Sequence, residues 1–392
     1  MLRKGIKSLQ LSLNELLPKL GSATVSNMAY SKARRKFKHT AFIELNQVAV
    51  IETMYEDGDY ETYKGFRISA IDGSKVMLPT NDATIKEFGT IGYNNGQQAK
   101  QSKGTRSYAL ASVRYDVLNR IALNAQLLPC RTWEVTAACT QLFGLTQDDL
   151  VVYDRNYHSY IIMATTITAD GHFLIRCKRN SGMPIVDEML AGKGAADRTV
   201  TVPAPRYVQT DEQYKHMLPV LTIRLVRVTL DDGSYEVLAT SVLDDTRLTV
   251  EDLKALYWLR WGVETFYGLL KTRLILENFS GFSPEAIRQD FFATIFLCGV
   301  ESIFTADAED HLRKQPGGHP KKVNKAVSFN AIKNHAFALF YSKESPDKVL
   351  EELTSLFLTS PTLIRKDRKP PRNKASAQQR LSFWKRKRKA VF

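Results

Sequence analysis

The chain has 392 residues, 44% apolar and 24% charged, which is enough to bury a large core and too apolar for wholesale disorder. Its longest nearly unbroken apolar run, Phe291 to Val300, is half of the ~20 residues a membrane span needs, and the first twenty residues hold no apolar signal region. Membrane and secreted classes are therefore excluded, and Cys130, Cys139, Cys177 and Cys298, with no C-x2-C pair and no close histidine, fit a reducing cytoplasm better than a zinc site or a disulfide framework.

The net charge of +14 is uneven. Residues 1–40 hold nine basic side chains and one acid, residues 365–392 hold twelve and one, and the stretch between holds 34 basic against 39 acidic. Two basic ends around an acidic middle suit a polyanion such as nucleic acid, because each neutralised phosphate releases counterions.

Residues 1–62 read as a helical N-terminal DNA-binding region. Leu9, Leu13, Leu16, Leu17 and Leu20 recur at helical spacing and stop at Gly21. After the turn-rich stretch 22–27, a basic helix is expected from Met28 to Phe42, carrying Lys32, Arg34, Arg35 and Lys36. That outline fits a helix-turn-helix reader as well as a helical bundle with a solvated basic face.

The period changes to strands near residue 63. The run Phe66 to Ile71 ends on Asp72-Gly73-Ser74, and Tyr108–Tyr115 with Arg120–Leu127 reads as a hairpin. A helix over Val135–Leu145 follows, then the buried strand Leu150–Tyr153 ending on Asp154, a helix over 157–168, and a strand over Phe173–Cys177. This order is a mixed α/β sheet with helices on its faces. Residues 179–245 are broken by Gly and Pro, with strands expected at 200–202, 221–230 and 235–242, and read as a β-rich insertion. A long helix begins at 249, where Thr249 caps and Asp252 sits at N3, and runs past Lys271. Helices are also expected over 285–312 and 326–359, joined by a Gly/Pro/Lys-rich linker, with a basic tail beyond Pro361.

The most informative stretch is Tyr257 to Lys271. At ~100° per residue, Tyr257, Arg260, Glu264 and Lys271 fall within one stripe about 60° wide, opposite an apolar face. A carboxylate between cations and a phenol suits a metal-bound phosphodiester; equally, Arg260 and Glu264 form an i,i+4 pair on an amphipathic helix. Asp72 and Asp154 add weight to the first, since neighbouring strands would present both carboxylates at one edge. Three carboxylates can hold two Mg²⁺ ions ~3.5–4 Å apart. Turn chemistry accounts for the rivals Asp82, Asp116, Asp148 and Asp149. His158 is read as a helix-face residue, Arg155 as a DNA contact or a local ion pair, Trp133 as a core residue, and Trp384 as a base-stacking candidate in the tail. The chain lacks G-x4-G-K-[ST], so no nucleotide cofactor is expected.

Tyr257, Arg260, Glu264 and Lys271 match Tyr-x2-Arg-x3-Glu-x6-Lys without a gap, with Trp261 after the arginine. The chain resembles DDE transposases of bacterial insertion sequences with this signature, the IS-four-like group, over roughly 65–300. Asp72-Gly73-Ser74 and Tyr153-Asp154-Arg155 resemble the family's two aspartate motifs.

The resemblance implies an RNase H-like core in two parts, 63–178 and 246–312, interrupted by the insertion and followed by a helical region with a basic tail over 313–392. It implies cut-and-paste DNA transposition, in which hydrolysis at the element ends precedes transfer by the freed 3′-hydroxyl. Asp72, Asp154 and Glu264 would bind two Mg²⁺, with Mn²⁺ able to substitute. Tyr257, Arg260, Trp261, Lys271 and Arg155 would contact DNA, alongside Lys32, Arg34, Arg35 and Lys36. The partners implied are double-stranded DNA (terminal inverted repeats and target) and a second copy of the chain on paired ends, in the cytoplasm at the nucleoid. Members with this signature commonly pass through a hairpin on the element ends with a base flipped onto an aromatic ring. The insertion here contains no Trp, leaving Trp261, Tyr207, Tyr214 and Tyr235 as candidates. The competing readings are an RNase H-like metal-dependent nuclease that cuts without joining, and a catalytically silent DNA-binding derivative.

Overall fold

The computed structural model describes residues 8–56, 58–94, 103–315, 319–342 and 345–364. The chain divides into two compact units, one of Met1–Glu56, Lys75–Ala109 and Leu269–Phe392, the other of Asp57–Ser74 and Leu110–Gly268. The basic tail from 365, Trp384 included, lies outside the described residues.

In the first unit, α1 (Leu9–Leu16) is capped by the Ser8 hydroxyl, and the chain turns at Gly21, whose φ of 67° a side chain would strain. Next come α2 (Asn27–Arg34), capped by Ser26, α3 (Thr40–Asn46), a π-helical turn over Gln47–Glu52, and α4 (Thr53–Glu56). The single basic helix expected over 28–42 is thus two helices with a break at 35–39. At the break the amides of Lys36 and Phe37 bond to carbonyls three residues back, and Arg34, at the end of α2, turns inward instead of lining an open face.

β1 (Arg67–Met77) is longer than expected and continues through Asp72. The segment around Asp82, assigned to turn chemistry from the sequence, forms α5 (Asp82–Phe88) with an Asn81–Thr84 capping box, followed by β2 (Thr90–Asn94), which pairs with the first residues of β3 (Lys103–Asp116). Leu118 and Asn119 donate their amides to Asp116 Oδ1 in the turn to β4 (Ile121–Pro129), so Asp116 is spent on that turn. Then follow α6 (Glu134–Cys139), β5 (Asp149–Tyr153), α7 (Tyr160–Thr168) and β6 (His172–Arg176). Asp149 accepts from Thr146 and Arg67, which removes it as a rival.

Within the second unit the order β4-β3-β1-β5-β6, with β5 parallel to β1 and β6 parallel to β5, is the RNase H-like arrangement. After α8 (Pro184–Leu190) the insertion supplies β7 (Asp197–Pro203), the short α9 (Arg206–Thr210), β8 (Val220–Thr229) and β9 (Tyr235–Thr240). These strands do not form a separate sheet. β9 runs antiparallel to β6, and β8 and β7 extend the same sheet beyond it. Buried Arg224 on β8 is held by Asp197 on β7 and by the Leu248 carbonyl.

The alternation of side chains along the strands sorts two cores. Ile71, Val151, Tyr153, Phe173 and Ile175 pack with α6 and α7 on one face. Phe66, Ile68, Leu150, Val152 and Leu174 pack on the other with Leu253 and Leu256 of α10 (Val250–Leu259). Thr249 and Asp252 form a capping box at the start of α10, as the spacing predicts. The helix does not run unbroken: it gives way at Arg260 to α11 (Trp261–Gly268), and then to a π-helical turn over Leu269–Arg273.

The first unit is completed by α12 (Pro284–Lys314), α13 (Lys325–Tyr341) and α14 (Pro346–Thr359), with the two-residue strands β10 (Lys321–Lys322) and β11 (Thr362–Leu363). The expected helix 326–359 is thus two. α12 is long and apolar enough to cross a bilayer, but its most apolar window is 67% buried inside the fold. It also carries buried polar groups with partners: Asp290 pairs with Arg34, and Glu301 with Lys325 and Ser328. It is a core helix.

Candidate active site

The register of β1 on β5 sets the site. Ile71 is paired with Tyr153, so Asp72 and Asp154 are the next residues on adjacent parallel strands, ~5 Å apart along the hydrogen-bonding direction. Alternation aims both at the face that α10 covers, because Ile68, Leu150 and Val152 belong to that core and Ile71 and Tyr153 to the other. β5 stops there, whereas β1 continues, so Asp72 sits within a strand and not at its end.

α11 carries Glu264 to the same place. Phe266 stacks on Tyr115 of β3 with ring centroids 4.5 Å apart. The buried Tyr267 hydroxyl donates a bifurcated hydrogen bond, 2.9 Å to each of the Asp72 and Ala111 carbonyl oxygens. One residue of this helix is thereby tied to the backbone of the residue that bears the first carboxylate.

Burial pushes Asp72 up to about 7; the Gly73 amide, 2.9 Å from Oδ1, pulls it down, and the charges of Glu264 and Glu134 raise it further against Arg260. Arg260 Nη1 is 2.6 Å from Glu264 Oε1, and its guanidinium lies 4.6 Å from the Trp261 ring and 5.8 Å from Tyr257. The arginine is buried, with Nε unpartnered, and the Glu264 side chain is 39% exposed. Tyr257 is pushed up to about 12, by burial first, with Asp154 adding and Arg260 opposing.

Asp72, Asp154, Glu264, Arg260 and Tyr257 therefore form one electrostatic cluster within the second unit. Its hard oxygen donors suit a divalent cation, and the like charges crowded around half-buried Asp72 are what such an ion relieves. Among the described residues no three His, Cys, Asp or Glu side chains close tightly enough to hold an ion as they stand. Glu264 is turned to Arg260 and has to share or leave that partner.

Other expected site residues fall elsewhere. Lys271 does not continue the stripe, because the break at Arg260 and the π-helical turn end the ~100° advance; its ammonium donates to the Lys75 carbonyl at 2.5 Å in the first unit. Arg34 is no open DNA contact: it donates to Gln289, Ser280, the Ala286 carbonyl and Asp290, tying α2 to the start of α12. Lys32, Arg35 and Lys36 are exposed, as is Arg155. Trp133, expected in the core, is 52% exposed at the start of α6. His158 is pushed down to about 4 by burial and by Lys178, so it is neutral. Sequence reasoning passed over Glu134 altogether. It belongs to no spaced motif, and its only signal is a carboxylate at the first position of a helix that follows the hairpin.

The sequence is similar to the family model for the transposase DDE domain over residues 63–298, more than half of the chain. The chain belongs to the DDE transposase-domain family. The members of this family cleave and transfer DNA strands and depend on divalent metal. No curated protein matches the sequence. Among solved structures the chain is similar to one in the cryo-EM structure of a piggyBac transposase synaptic complex with hairpin DNA, at a TM-score of 0.40 and 10% identity. The match covers 74% of this chain and 57% of that one, so it spans little more than half of that protein.

Proposed function

We propose that this chain is a cut-and-paste DNA transposase of the Tyr-Arg-Glu-Lys signature group, with Asp72, Asp154 and Glu264 as its metal ligands. The observation that carries this reading is the Ile71–Tyr153 register, which leaves two aspartates side by side on the face that α11 meets with a glutamate. When bound, Mg²⁺ (or Mn²⁺ in its place) would lower the pKa of an attacking water or 3′-hydroxyl and stabilise the leaving oxygen at phosphorus. Asp72 and Asp154 contribute fixed oxygen donors from the sheet, and Glu264 a movable one from α11. Arg260, relieved of Glu264, is left with a buried guanidinium beside the scissile phosphate. Trp261, 39% exposed next to it, is the aromatic best placed to stack on a base flipped out near the cut. Lys32, Arg35 and Lys36 supply backbone phosphate contacts, and two copies of the chain hold paired terminal repeats.

The test uses end-labelled DNA bearing the terminal sequence of the encoding element, Mg²⁺, and denaturing gels, for wild type and Glu264→Gln. Wild type is expected to nick and join, and Glu264→Gln to bind without cutting; a hairpin band identifies that route. Nicks without joined products would support a nuclease, and binding with every strand intact a silent derivative.

A further inference from the structure

The register that sets Asp72 beside Asp154 runs one strand further. Tyr153 of β5 is paired with Ile175 of β6, so the next residues on these parallel strands are Asp154 and Arg176, ~5 Å apart along the hydrogen-bonding direction. Leu174 belongs to the core under α10 and Ile175 to the opposite one, so alternation turns Arg176 to the face that holds both aspartates. β9 brings a further residue to that face. Leu238 lies under α10 and Val237 on the other side, which puts Glu236 with Leu238. Asp72, Asp154, Arg176 and Glu236 thus face one way on successive strands, the last of them from the insertion.

Arg176 Nη2 is 2.7 Å from Glu236 Oε1, with the arginine side chain 32% exposed and the glutamate 14%. Among the described residues no hydrogen bond engages Arg176 Nε or Nη1. Arg224 on β8 shows what a strand fastener looks like. Its side chain is 2% exposed, with Nε and Nη2 on Asp197 and Nη1 on the Leu248 carbonyl. Arg176 instead keeps donors open beside the residue that follows β5.

Glu236 also has a second cation within its row. The Cys177 amide donates 2.8 Å to the Val237 carbonyl, which carries the β6–β9 register one residue on and sets Lys178 opposite Glu236. The Lys178 ammonium reaches the Asn156 carbonyl at 3.4 Å, a long bond that costs little to give up. Arg176 and Glu236 act on the Tyr257 phenol in opposite senses, the arginine lowering and the glutamate raising it, so the pair lies in the field of the cluster around Asp154.

We propose that Arg176 is a further DNA-phosphate ligand of the strand-cutting site, and that Glu236 is its counter-ion in the DNA-free chain, passed to Lys178 when a phosphate takes its place. This rests on the reading of Asp72, Asp154 and Glu264 as the cutting centre. Arg176 lies beyond Asp154 as seen from Asp72, so it takes a phosphate next to the scissile one. The insertion thereby acts on the site: its carboxylate keeps the guanidinium masked until a polyanion competes for it.

The experiment measures binding of the full chain to a duplex bearing the terminal sequence of the encoding element, in EDTA, by fluorescence anisotropy over a range of salt. Wild type is compared with Arg176→Ala, Glu236→Gln and the double variant, each first melted to establish folding. Arg176→Ala is expected to weaken binding about tenfold and to lower the slope of log K against log salt by about one. Glu236→Gln is expected to tighten binding roughly fivefold, and by no more than about twofold once Arg176 is alanine. Wild-type affinity and slope in Arg176→Ala would mean that Arg176 touches no phosphate, and the proposal is overturned. Equal tightening in both backgrounds makes Glu236 a general repulsive charge and overturns its role as counter-ion. Should Arg176→Ala not fold, Arg176→Gln takes its place in the cycle. Cleavage with Mg²⁺ is read separately: if wild type cuts no strand while the cycle behaves as expected, the cutting centre falls and the phosphate site beside Asp154 stands without it.

Discussion

Arg34 and Arg260 are both drawn out of water by a carboxylate, yet they end in opposite states. In the first unit Arg34 uses Nε, Nη1 and Nη2, and its partner Asp290 also accepts from Ser280 through both oxygens. In the second unit Arg260 leaves Nε unpartnered, and Glu264 has more than a third of its surface in solvent. A pair in which every guanidinium nitrogen is engaged acts as a fastener between helices. An unsaturated one can exchange partners at small cost, which is what a site meeting a polyanion requires.

Mutations can break or sharpen that contrast. The largest effect is expected at Glu264→Gln, with cleavage reduced by roughly 10³-fold or more while DNA binding persists, read on denaturing and native gels. Arg34→Ala strands buried Asp290 and is expected to cost about 3–5 kcal/mol of unfolding free energy in a urea titration. Arg260→Ala should cost only ~1 kcal/mol, since its partner is wet, yet cut cleavage by about 10²-fold. Equal stability losses for the two arginines would erase the distinction.

Asp72 gives a pH test. With its carboxyl raised to about 7, the metal-free native state keeps a proton that the unfolded chain gives up near pH 4. Stability therefore falls as pH rises from about 4 to about 7, by an amount on the order of 2–4 kcal/mol. Asp72→Asn should flatten that slope in EDTA melts; an unchanged slope would place the strain elsewhere. The smallest effect is expected for Lys32→Ala, Arg35→Ala and Lys36→Ala. Each should leave the melt unchanged and lower the slope of log K against log salt for DNA binding by about one.

Much of this architecture is legible in the residues. The strand run that stops at Asp154, the hairpin turn at Asp116, the insertion strands and the Thr249 cap follow from local pattern, and local pattern survives folding. The misreadings have tertiary causes. β1 runs past Asp72 because a neighbouring strand, and not its own hydrophobicity, sustains it. The signature helix is interrupted at Arg260, where the amides of Arg260 and Val263 bond to carbonyls three residues back, and no periodicity announces a π-helical turn. Arg34 looks like any basic helix residue until Asp290, 256 positions away, is placed beside it. Glu134 is silent for the same reason: its side chain fills the space where a Cβ at Gly73 would stand.

The order of the chain has a last consequence. The sheet that carries Asp72 and Asp154 is finished when β9 joins β6, but Glu264 arrives two-thirds of the way along the 392 residues. During vectorial synthesis, every nascent product that ends between Thr240 and Glu264 has the completed sheet but lacks Glu264 and the Arg260–Glu264 pair.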